Sequence, residues 1–253
     1  MMATAMTGTL ADVVARLRMM EQDLLRERDR RAVFVTAYLE MSRRLLASLL
    51  SFRDPRWVER YAVAFASYYF TAFDAYESPR PDLAPRPWRV AFTYSKARRV
   101  LVLQDLLLGI NAHIGYDLPR ALVEVGTSFD DPLRRQDHVA VNRVLLAAIG
   151  PIQKRIAILY SPALGRLDRA FGRLDECLTA AAFWWTRGTA WRKGRWLWGA
   201  IGRLEVEDRD ELIEDAAACA GHLLAVPARL RGVRRAKSRI ESDSRWMGLY
   251  RGL

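Results

Sequence analysis

Apolar residues recur at helical spacing along almost the whole chain, and no stretch alternates apolar with polar residues between turn signals. Amphipathic helices are the elements such a pattern builds, so the expected fold is an all-α, single-domain multi-helix bundle of about eight or nine helices. The 253 residues, 51% of them apolar, suffice for one full hydrophobic core. Helices are expected at about 8–28, 31–51, 55–77, 88–116, 134–149, 151–160, 163–186, 189–201 and 208–230.

Turn chemistry sets these limits. Asp54-Pro55 supplies an N-cap and a first-turn proline, while Ser78 to Pro87, with Pro79, Pro81, Pro85 and Pro87, cannot continue a helix. Leu118-Pro119 is expected to stop the fourth helix, Gly126 to Pro132 to form a polar connection, and Ser161-Pro162 to open another helix. No repeat, low-complexity tract or Gly/Ser linker divides the chain, so residues 1–253 read as one domain. Its basic tail, 230–253, is expected to begin helical and fray unless Trp246, Leu249 and Tyr250 dock it.

The formal net charge is +11, but arginine is scattered over most segments rather than clustered. No dedicated nucleic-acid binding is therefore expected, while weak association with anionic membranes stays open. The stretch Met1 to Leu25 carries Asp12, Arg16, Arg18, Glu21 and Asp23 and so lacks the apolar core of a secretory signal. No window approaches the roughly 18 uncharged apolar residues of a spanning helix, and a cytoplasmic location is the expectation. Cys177 and Cys219, the only cysteines, stand in apolar surroundings without C-x-x-C spacing, which argues against a disulfide scaffold or a zinc finger. There is no Gly-rich phosphate loop, G-x-S-x-G elbow, H-E-x-x-H or dinucleotide fingerprint. NTPases, common serine hydrolases, zincins and Rossmann oxidoreductases are disfavoured, and no nucleotide cofactor is expected.

Against this apolar background, Gly109 to Pro119 closes a helix with Asn111, His113 and Asp117. Residues four apart share a helical face, so His113 and Asp117 should stack, with Gly109 on the same stripe one turn earlier. A carboxylate beside an imidazole fixes its tautomer and supports proton transfer. A second segment, Asp137 to Asn142, places His138 and Asn142 on one face, with Asp137 about a quarter-turn away. If the two helices pack face to face, two imidazoles, carboxylates and amides meet in one pocket suited to acid–base catalysis or to a mixed nitrogen and oxygen metal site. The bland alternative is that each pair is a satisfied hydrogen bond bracing the fold.

Gly109 to Pro119, with Pro87-Trp88-Arg89 and Leu101 to Leu108 before it and Asp137 to Asn142 after it, resembles a family of uncharacterised bacterial helical proteins. That family is a domain of unknown function marked by a G-x-N-A-H-I-x-x-D-L-P motif. The resemblance runs from around Arg31 to the helix near Trp191. It implies an intact helical architecture and puts weight on Asn111, His113, Asp117, Asp137 and Asn142, and less on His138. It brings no activity, cofactor or substrate with it.

Aromatic clusters are the remaining signals. Phe183 to Trp198 holds five of the eight tryptophans among four basic residues, and Trp184, Trp191 and Trp198 recur every seven residues. A core-facing stripe is the main reading, with a membrane interface or ligand wall as the alternative. In Tyr68 to Tyr76, core packing leads, although Tyr69, Phe73 and Tyr76 could also contact an apolar substrate. Glu205 to Glu211 reads as charge complementing a helix N-terminus, and His222 as a structural histidine.

The leading functional expectation is a small-molecule enzyme, of hydrolase, lyase or cyclase type, acting on an apolar or aromatic substrate. His113, Asp117 and His138 are its catalytic candidates, and Asn111, Asp137, Asn142, Tyr69 and Phe73 its substrate-binding candidates. A divalent metal on His113, Asp117 and His138 is left open, as is a homo-oligomer. The rival expectation is a non-catalytic ligand-binding or peripheral membrane protein.

Overall fold

A computed structural model describes residues 8–98, 100–160, 185–201 and 205–225. They form α1 (Leu10–Arg26), α2 (Ala32–Ala47), α3 (Pro55–Glu77), α4 (Arg86–Lys96), α5 (Val102–Ala112), α6 (Leu118–Glu124), α7 (Pro132–Leu146), α8 (Ile149–Tyr160), α9 (185–198) and α10 (Glu205–Ala225). The all-α class is therefore observed, with no strand among the described residues. Most of the helix expected at 163–186 and the tail 230–253 lie outside the described residues. No helix among them is long and apolar enough to cross a membrane.

The helix starts follow from local chemistry. Thr9 and Asp12 close a capping box on α1, the Asp12 carboxylate accepting the Thr9 N–H at 2.8 Å. Asp54 and Asp131 cap α3 and α7, each followed by a proline whose missing N–H would have been unpaired in a first turn anyway. In α2 every residue from Ala32 to Leu39 is buried, as befits a helix covered all round. It packs against α1, α5, α7 and α8, while α10 lies on α4 and α5.

The single helix expected over 88–116 is divided. Arg98 takes a left-handed conformation, φ 51°, which ends α4, and the Gln104 side chain accepts the Leu101 N–H at 2.9 Å to begin α5. Conversely, Leu118-Pro119 does not stop the chain's helical course. Residues His113–Asp117 form a π-helical turn, with the Leu118 N–H bonded to the His113 carbonyl, and α6 follows directly. Pro119 has no N–H for the carbonyl of Gly115, four residues back, and the Lys193 ammonium of α9 donates to that oxygen at 3.2 Å instead. The wider turn and the tertiary donor together carry the proline inside a helix.

Gly109 is where α5 meets α2 most closely. A Cβ there would come within 2.9 Å of the Phe34 Cβ and closer still to its ring. Although alanine favours a helix by about 1 kcal/mol over glycine, the clash outweighs that gain. Gly109→Ala is expected to lower stability by about 1–3 kcal/mol in urea unfolding, with helical content unchanged.

Candidate functional site

The π-helical turn keeps His113 and Asp117 in contact. His113 Nδ1 lies 2.9 Å from Asp117 Oδ2, and the indole N–H of Trp88, reaching over from α4, donates to the same oxygen at 2.9 Å. All three residues are buried, exposing 3% or less. The other ends of the pair carry no hydrogen bond: His113 Nε2 and Asp117 Oδ1 are buried without a partner. Such orphaned atoms are uncommon in folded proteins and call for a reason.

Aromatic rings enclose the imidazole. Phe65 of α3 stacks on it almost in parallel, with centroids 3.5 Å apart and planes 9° apart, and Tyr38 of α2 stands at 4.6 Å. Phe34, Trp88 and Tyr69 approach edge-on or tilted at 5.6, 5.9 and 6.1 Å. Beside this cage is a predominantly apolar cavity of about 60 Å³, lined among others by Tyr38, Tyr61, Phe65, His113, Leu145 and Arg187. It is smaller than the roughly 150 Å³ that accepts a benzene ring, so it suits the end of a molecule rather than a bulky whole.

Burial governs the electrostatics. It pushes the His113 imidazole well below the usual histidine range, and the Arg187 guanidinium adds to that effect. It pushes the Asp117 carboxyl well above the carboxylate range, against the opposing hydrogen bond from Trp88. The hydroxyls of Tyr38 and Tyr61 are likewise held protonated by desolvation. Arg187 is itself buried, donating through Nη2 to the Tyr61 hydroxyl at 2.6 Å and through Nε to Asn142 Oδ1. A charged group thus borders the apolar cavity beside a phenol whose oxygen accepts one of its protons.

The structure brings together only part of the set picked out by sequence. His113 and Asp117 are joined, and Tyr69 belongs to the aromatic surround. Asn142 reaches the cavity only through Arg187. His138 is not beside His113 in the cavity lining: its ring packs against Trp191 at 4.9 Å and reaches the cavity's Tyr61 only at 6.1 Å. Asp137 instead accepts the backbone N–H groups of Arg53 and Asp54 at 3.0 and 2.9 Å, tying α7 to the start of α3. Asn111 donates to the Ala217 carbonyl at 2.8 Å and clamps α10, and Phe73 lies under the Arg31 guanidinium. Among the described residues no three or more His, Cys, Asp or Glu side chains are grouped to hold a metal ion, so His113, Asp117 and His138 do not form a ligand set.

Sequence reasoning missed Trp88, Phe34, Tyr38, Phe65 and Arg187. One signal was available: Tyr61, Phe65 and Tyr69 recur at four-residue spacing on α3, which is the face turned to the cage. The expected seven-residue tryptophan stripe is also revised. Trp191 is buried, but Trp198 is 43% exposed and Leu197 takes the inward position, while Trp184 lies outside the described residues.

A model described as Family of unknown function (DUF5995) matches residues 10–227. No curated protein and no solved structure matches the chain.

The buried histidines give stability a definite pH dependence. Burial also lowers His138, with Arg187 and Arg135 assisting. For a histidine lowered in the fold, the unfolded chain takes up the proton first as pH falls through about 6.5, so stability drops on the acid side. Raised Asp117 acts in the opposite sense, because there the folded chain protonates first, whereas His138 has no such carboxyl beside it. His138→Phe is therefore expected to flatten the loss of stability between pH 7 and pH 5, by up to about 1.4 kcal/mol per pH unit, measured by urea unfolding at each pH.

Proposed function

The chain belongs to this family of unknown function, and from the site itself we propose a small-molecule enzyme that moves a proton on an apolar substrate through His113 and Asp117. The observation that carries this reading is the buried His113 Nε2, without a hydrogen-bond partner, on a residue that lines an apolar cavity. His138 is as buried and has neither ring nitrogen satisfied, so the cavity is what sets His113 apart: His113 lines it and His138 does not.

Roles follow from the contacts. Asp117 accepts the Nδ1 proton of a neutral His113 and fixes the tautomer that leaves a lone pair on Nε2. Trp88 holds Asp117 in place from the other side. Desolvation keeps the imidazole unprotonated at neutral pH, the state a general base requires, and Phe65 and Tyr38 fix the ring plane. Arg187, with the Tyr61 hydroxyl, supplies positive charge and a donor where negative charge develops on a substrate oxygen. A cavity this small admits the reacting end of the substrate, and elimination, cyclisation and hydrolysis all begin with such a transfer.

The test is a comparison of small-molecule extracts incubated with the wild type, His113→Gln and Asp117→Asn, read by mass spectrometry. The expected result is a component consumed by the wild type and slowed at least about 100-fold by either substitution, the scale of a lost general base. A wild type that alters nothing, or a His113→Gln protein that is folded and fully active, overturns the reading.

A further inference from the structure

A second concavity lies apart from the histidine. Ser51 and Arg53, just before α3, face α7 across a groove of about 520 Å³ whose α7 side carries Arg135, Gln136, Asp137 and Arg143. Arg53, Arg135 and Arg143 are all exposed. None of the three has a carboxylate within ion-pair distance among the described residues. Arg18, Arg56, Arg60 and Arg89 are likewise without an ion pair among those residues, but none of these lines the groove, whereas here three such guanidiniums share one concavity.

The acids nearest in sequence are already engaged. Asp54 and Asp131 both pair with Arg134, and the two oxygens of Asp137 receive the backbone N–H groups of Arg53 and Asp54. Three like charges around one concavity repel each other, and a ligand carrying negative charge relieves that repulsion. A single carboxylate has two oxygens, which one guanidinium fork satisfies. A phosphate or diphosphate offers more oxygens and more than one charge, matching several forks at once.

We propose that this groove binds a molecule bearing a phosphate or diphosphate group, held by Arg53, Arg135 and Arg143 with Ser51 and Gln136 as neutral donors. The site is independent of the His113 chemistry, and the same headgroup chemistry is offered by a soluble phosphate and by a phosphate-bearing lipid.

Two probes separate those sources: calorimetric titration of the full chain with inorganic pyrophosphate, and sedimentation with phosphatidylcholine vesicles with or without phosphatidic acid. The expected result is saturable pyrophosphate binding, weakened at least about tenfold by Arg53→Gln/Arg135→Gln/Arg143→Gln, given the strength of charge-assisted hydrogen bonds. It should be retained by Arg18→Gln/Arg26→Gln/Lys154→Gln, which removes the same charge at exposed positions outside the groove. Binding only to phosphatidic acid vesicles, lost in the same groove variant, assigns the site to a lipid headgroup. Circular dichroism checks folding, and Arg143→Gln alone serves if the triple variant unfolds. Binding of neither probe overturns the proposal, as does equal weakening by both triple variants, which would show diffuse charge at work.

Discussion

Asp117 holds the centre of this molecule. One carboxyl oxygen takes the indole proton of Trp88 from α4 and the imidazole of His113 from the end of α5, so helices separated by the break at Arg98 are tied inside the core. A polar group this deeply buried costs free energy unless its bonds are made; here the bond from Trp88 joins separate helices, while the one to His113 lies within the π-helical turn. The surrounding rings are consistent with that demand. Trp88, Phe34, Tyr38, Phe65 and Tyr69 exclude water from the pair, which strengthens the bonds they enclose and raises the cost of losing either partner.

The π-helical turn is the device that permits the arrangement. A proline within a helix leaves a carbonyl unpaired, and the chain meets this by widening the turn at His113–Asp117 and supplying the Lys193 ammonium from α9. Alongside it, Gly194 of α9 has no side chain to collide with Phe129 or the Pro119 carbonyl, so α9 can lie close enough for Lys193 to reach. Local irregularity, tertiary donor and site geometry are thus one construction. Such π-turns are frequent at functional sites, and the orphaned Nε2 beside an apolar cavity accords with a group held ready for a ligand.

Charge is distributed with the same economy of partners. Buried guanidiniums are bound on more than one side: Arg31 meets Asp29 and Glu77 and lies over Phe73, and Arg187 meets Tyr61 and Asn142. A scattered arginine composition therefore becomes an ordered set of contacts. The groove around Arg53, Arg135 and Arg143 stands out because three guanidiniums without an ion pair line a single concavity.

Periodicity by itself determined the all-α class, and the cap-and-proline pair at Asp54-Pro55 located the start of α3, because both signals act within one or two turns of chain. The equivalent pair at Asp131-Pro132 falls in the stretch expected as a connection, and α7 begins two residues earlier than the periodicity places it. Spacing alone also put His113 beside Asp117, since residues four apart in a helix meet whatever lies around them. What spacing could not show was which helix faces meet. That His138 lies against Trp191 instead of joining His113, that Asn111 and Asp137 secure neighbouring backbone, and that Trp88 and Arg187 complete the site all depend on packing between segments far apart in sequence. The break at Arg98 and the continuation through Pro119 were hidden for the same reason. Each local preference is worth about 1–3 kcal/mol, and at Pro119 a contact from α9, absent from any local window, decides the outcome.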